Sequence, residues 1–85
     1  MIMESIINAY ISRELVSKPD QLPLKNDTQL LDTGLLDSLS VLKLVLFLEK
    51  EFGIVMDPED VIPEHFQTVD AICTYVRTRR QAQEV

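Results

Sequence analysis

Asp37-Ser38 is the pair whose chemistry stands out. It sits between leucines in Gly34-Leu35-Leu36-Asp37-Ser38-Leu39, immediately before a run that reads as helix. Asp37 is suited to the N-cap, where a carboxylate accepts a hydrogen bond from an orphan backbone N–H and meets the positive end of the helix dipole. Ser38 then falls in the first turn. Free N–H groups and the dipole both favour an anion there, so a phosphate ester on the Ser38 hydroxyl would be well placed. The plain alternative is an ordinary helix-start serine.

Other groups carry less chemistry. A hydrolase nucleophile elbow, Gly-x-Ser-x-Gly, needs glycines where this chain has Leu36 and Ser40, so catalysis by Ser38 itself is not expected. His65 is the one histidine and could act as a base, but between Glu64 and Phe66 it reads as a surface or loop residue. One Cys and one His cannot furnish a four-ligand zinc site. Asp57, Glu59 and Asp60 lack the Gly and distal Glu of a calcium loop in register. No metal site is expected.

The elements that must position Ser38 follow from periodicity. Leu39 to Phe52 contains neither Gly nor Pro, and Gly53 is a natural left-handed terminator. Projection at about 3.6 residues per turn gives two apolar surfaces. Val41, Leu44, Val45, Leu48 and Phe52 form a core stripe. Leu39, Leu46 and Phe47 fall on the other side among Ser40, Lys43 and Lys50, with Leu42 at the margin. The interspersed lysines argue against full burial, so this second surface is a candidate contact for another protein.

Gly34-Leu35-Leu36-Asp37-Ser38-Leu39, followed by a long amphipathic helix and a short acidic segment, resembles the acyl and peptidyl carrier proteins. The resemblance runs over nearly the whole chain. It implies an all-α, four-helix bundle of three longer helices and one short one, with a long loop between the first and second. It also implies that 4′-phosphopantetheine, taken from coenzyme A, is esterified to Ser38, and that Asp37 helps the phosphopantetheinyl transferase recognise the motif. The thiol of that arm would carry an acyl, aminoacyl or polyketide intermediate as a thioester. Further partners would be a loading ligase and synthase or transferase enzymes, meeting Leu39, Leu42, Lys43, Leu46 and Phe47. Val61 and Ile62 would help admit the cargo. The second helix of fatty-acid carriers is strongly acidic, whereas here Ser40, Lys43 and Lys50 line the exposed side, which resembles a specialised free-standing carrier more closely. The rival reading is an unmodified helical adaptor that binds through the same apolar face.

Composition is consistent with a single helical domain of 85 residues. Hydrophobic residues make up 46% and there are two glycines, which argues against disorder. A formal charge of -6 is a poor match to nucleic acid, which calls for Lys and Arg. The single Cys73 cannot form an internal disulfide. Met1-Ile2-Met3-Glu4 lacks the basic start of a secretory signal, and no uncharged run approaches the roughly 20 residues of a membrane span. A cytoplasmic monomer is expected.

In chain order, Ile2, Ile6, Tyr10 and Leu15, flanked by Met3, Ile7 and Ile11, predict a first helix over about 2–17, ended by Pro19. Pro19 to Asp37 reads as a loop anchored by Leu22, Leu24, Leu30, Leu31, Leu35 and Leu36, with Thr28 as a candidate start for a short helical turn. The second helix spans 38–52. Ile54-Val55-Met56 is an apolar plug. Asp57 and Pro58 start a short helix over 58–62 that Pro63 limits. Thr68 caps a last helix over 68–80 with Val69, Ile72, Cys73 and Val76 buried, and Arg77, Arg79 and Arg80 form its solvated basic end.

Overall fold

The computed structural model describes residues 2–16, 24–32 and 34–83. Helix α1 spans Ile2–Tyr10 and widens into a π-helical turn over Ile11–Leu15. The Val16 amide bonds the Ile11 carbonyl at 2.9 Å, five residues back, and Val16 itself is extended. The helix therefore ends before the expected residue 17; Ser17 to Pro23, with Leu22 and both prolines, lie outside the described residues. Its core stripe is also turned from the expected one. Ile7 and Ile11 are fully buried while Ile2 is exposed, because α4 packs on the Glu4–Ile7–Ile11 side.

The loop is held down by its leucines. Leu24, Leu30, Leu35 and Leu36 are buried. Its backbone is secured as well: Leu30 N–H donates to the Gln67 carbonyl at 2.7 Å, and Asp70 N–H to that of Asn26 at 3.1 Å. Asn8 of α1 donates to the Leu24 carbonyl at 2.8 Å and to Asn26 Oδ1 at 2.9 Å. Thr28 closes a turn with Lys25 and starts no helix. These bonds tie the described part of the loop to α1 and to the start of α4.

Helix α2 spans Ser38–Phe52 and ends at Gly53, whose φ of 65° is the left-handed cap that glycine adopts without strain. Leu44 and Leu48 are fully buried; Val41, Val45 and Phe52 pack beside them. Next, Ile54 and Met56 turn inward while Val55 faces out, so only two of the three plug residues reach the core. The expected helix over 58–62 is instead a 3-10 turn, Pro58–Asp60, followed by a one-turn helix α3, Pro63–Phe66. Pro63 starts α3 rather than stopping its predecessor, since a first-turn proline lacks only an N–H that would have no helical partner.

Helix α4 spans Val69–Gln83, three residues beyond the expected end. Thr68 Oγ1 accepts from the Ala71 amide at 3.0 Å, the N-cap bond its sequence position calls for. Val69, Ile72, Cys73, Tyr75 and Val76 enter the core. The basic end is only partly solvated: Arg77 Nη2 reaches Glu4 Oε2 at 2.8 Å, and Arg79 Nη2 donates to the Val55 carbonyl at 2.8 Å. Two of the three arginines thus tie α4 to other elements, which helix periodicity alone does not reveal.

Candidate functional site around Ser38

Ser38 is the first residue of α2 and is exposed. The local sequence explains its presentation. Gly34, at a φ of 76°, turns the chain, Leu35 and Leu36 sink into the core, and Asp37 is extended, with φ −110° and ψ −175°. Its Oδ1 accepts from the Ser40 amide at 2.8 Å. That backbone bond, with the Ser40 hydroxyl second, lowers the Asp37 pKa below its ordinary value. A charged carboxylate is thereby held one residue before a hydroxyl that has no hydrogen bond among the described residues.

Two open grooves meet at Ser38. One, of about 420 Å³, runs between Leu31, Leu36 and Val41 on one side and the wall formed by Val61, Ile62, Pro63 and Phe66 on the other. The other, of about 520 Å³, lies along α2 between Val41, Val45 and Leu46 on one side and Met56, Pro58 and Val61 on the other. Both are largely apolar. Val61 and Ile62 are each 37% exposed; Val61 lines both grooves and Ile62 the first.

Beside Ser38, Leu39, Leu42 and Leu46 are 61%, 56% and 59% exposed and form one stripe on α2. Lys43 and Lys50 are exposed along its far edge. Leu42 is thus fully on this face and not at its margin. Phe47 belongs elsewhere: it is half-buried and stacks on Tyr10 of α1, ring centroids 3.8 Å apart and 12° from parallel. A partner aromatic on α1 removed it from the exposed surface, a pairing between distant residues that no helical projection contains.

His65 is engaged away from the serine. Its Nδ1 lies 2.8 Å from the Asp60 carbonyl and its ring stacks on Tyr75 at 4.5 Å. A carbonyl only accepts, so Nδ1 carries the hydrogen. Cys73 is fully buried, and burial pushes its thiol up to about 11. No cluster of metal-ligating side chains occurs among the described residues, and none of their helices is long and apolar enough to cross a membrane.

The fold and this site define an all-helical domain that presents a serine and an adjacent carboxylate at a helix start beside apolar grooves. Residues 9–76 match the family described as the phosphopantetheine attachment site, and the chain belongs to that family, whose cofactor is covalent 4′-phosphopantetheine. Among solved structures, the chain is similar to one described as "Crystal structure of FAD-dependent dehydrogenase", 28% identical, with a TM-score of 0.72, over 82% of this chain and 97% of that one. No curated protein matches it.

Proposed function

We propose that the chain is a carrier: Ser38 bears the phosphopantetheine ester, and the arm holds an acyl, aminoacyl or polyketide group for partner enzymes to act on. The observation that carries this reading is Ser38 itself, exposed at the first position of α2 between two grooves, its hydroxyl without a hydrogen bond among the described residues. The donor set fits the group, because an anionic phosphodiester beside a helix N-terminus meets the positive end of the dipole. When bound, the arm supplies a thiol for thioester chemistry. The chain supplies address and orientation, with Asp37 part of the motif the transferase reads.

Leu39, Leu42 and Leu46, edged by Lys43 and with Val61 and Ile62 opposite, form the surface for the transferase, a loading ligase and synthase or transferase enzymes. Phe47 contributes by fixing α2 against α1 through Tyr10. Work in the cytoplasm as a monomer fits the lone, buried thiol. Because His65 is bound to Asp60 and Tyr75, it is not poised as a base for Ser38, and the chemistry on the cargo belongs to other proteins.

The similar solved chain bears on what those proteins do. The aligned 82% of 85 residues, about 70, fill 97% of that chain, so it is a small helical chain in a structure described by a dehydrogenase. An FAD-dependent dehydrogenase acting on the tethered group is therefore a partner we include. Offering the loaded chain to such an enzyme should lower the cargo mass by two hydrogens, and an unchanged mass would remove this partner.

The deciding experiment is intact-protein mass spectrometry after incubation with coenzyme A, Mg²⁺ and a broad-specificity phosphopantetheinyl transferase. The parent is expected to gain one phosphopantetheine and Ser38→Ala none, with the circular dichroism of both unchanged. The three exposed leucines also favour an unmodified adaptor. A folded parent left unmodified by several transferases, the native one included, would establish that reading instead.

A further inference from the structure

The polypeptide between α2 and α3 is bound by a set of polar side chains that the carrier reading leaves unused. The Met56 amide donates to Glu49 Oε2 of α2 at 2.9 Å, and the Val55 carbonyl accepts from Arg79 of α4 at 2.8 Å, with Asp57 3.9 Å from the same guanidinium. Farther on, the Tyr75 hydroxyl donates to Asp60 Oδ2 at 2.8 Å. The Asp60 carbonyl accepts from His65 Nδ1, and the His65 ring stacks on Tyr75. The Ile62 amide bonds the same carbonyl at 2.9 Å. Asp60 is therefore gripped at its carboxylate by α4 and at its carbonyl by α3.

Asp60 directly precedes Val61 and Ile62, which wall the grooves beside Ser38. Fixing Asp60 fixes the direction in which those two side chains emerge. On the α2 side, this segment is held by the bond from the Met56 amide to Glu49, four residues before Asp60, while α3 packs on α4. A short segment of this kind holds a defined wall only when its supports lock it, because isolated single turns are unstable in water.

We propose that Asp60 and Tyr75, with His65 stacked behind them, are positioning residues: they set the Val61–Ile62 wall at the place where an enzyme working on Ser38 must meet it. This rests on the assignment of Ser38 as the attachment site.

The test compares the parent with Tyr75→Phe, Asp60→Ala and Asp60→Asn, using Ile7→Val as a control that loosens the core without touching the network. Transfer from coenzyme A by a broad-specificity phosphopantetheinyl transferase is followed against carrier concentration. Amide resonances of Val61 and Ile62 are recorded by NMR. Tyr75→Phe and Asp60→Ala should raise KM by about fivefold with kcat unchanged, the size expected for one lost hydrogen bond acting through binding. Both should also shift the two resonances. Asp60→Asn keeps an oxygen acceptor and should restore KM and resonances alike. Unmoved KM and resonances, failure of Asp60→Asn to rescue, or an equal KM rise in Ile7→Val would each overturn the proposal. If the parent is not modified at all, the Ser38 assignment fails by itself; the positioning of the wall is then decided by the resonances, and no shift in Tyr75→Phe would overturn it.

Discussion

A serine becomes useful to an external enzyme when its hydroxyl is unclaimed and its backbone is fixed, and Asp37 and Ser38 divide those tasks. Asp37 spends an oxygen on the Ser40 amide, which caps the start of α2 at Ser38. Asp37→Ala should therefore lower the melting temperature by a few degrees and slow modification, whereas Asp37→Asn, which retains an N-cap acceptor, should keep most of the stability. Modification that slows equally in both variants would assign Asp37 a role in recognition by the transferase beyond capping. Cys73 offers a second residue-level check. Its buried thiol, pushed up to about 11, stays protonated and shielded at neutral pH. The native unmodified chain should take up no maleimide, and the modified chain should take up one equivalent on the arm. Labelling of the unmodified native chain would mean that the core around Cys73 opens.

At the scale of elements, α2 has two faces with different work. Leu48 is fully buried, so Leu48→Ala should cost about 2–5 kcal/mol through lost transfer energy and a residual cavity. Leu46 is mostly exposed. Leu46→Glu should leave thermal unfolding nearly unchanged while weakening partner-dependent loading or modification. Chemical denaturation and the modification rate together separate the two faces; a large stability loss in Leu46→Glu would show that this leucine is covered in solution. The same distinction explains Phe47. Its angular position is close to that of exposed residues, but the Tyr10 ring occupies the space above it, and contact with a second helix overrides the projection.

For the molecule as a whole, the Glu4–Arg77 pair joins the first helix to the last at 2.8 Å. The hydrogen bond from Arg77 is the main reason the Glu4 pKa lies below its ordinary 4.5. A lowered folded-state pKa means that the stabilisation is present above the ordinary value and is lost as the pH falls through the folded one. Acidification from neutral pH should therefore loosen α1 from α4, and Glu4→Gln should flatten the acid limb of a stability profile. An unchanged acid limb in Glu4→Gln would show that other carboxylates set it. Tyr75 acts at the opposite end. Burial, then the bond to Asp60, push its phenol up to about 12, so its contribution is complete below the ordinary phenol value and is lost as the pH climbs through the folded one.

Local rules account for much of this protein. The start of α2 at Ser38, its Asp37 cap, its glycine terminator at Gly53, the Thr68 cap and the Val69–Ile72–Cys73–Val76 stripe all arise from residues within a turn or two of one another. Capping and periodicity are short-range effects, so these features are legible in the residues alone, as is the motif around Ser38. The turn at residues 58–60, the start of α3 at Pro63, the withdrawal of Phe47, the ties made by Arg77 and Arg79, and the grip on Asp60 were settled by packing. The turn and the start of α3 are themselves closed by bonds three residues apart, but the withdrawal of Phe47, the arginine ties and the bond from Tyr75 to Asp60 join groups far apart in the chain, and contacts of that kind exist only once the helices have chosen their neighbours. The wall opposite Ser38 belongs to this second group, because its supports come from α3 and α4 while the serine stands on α2.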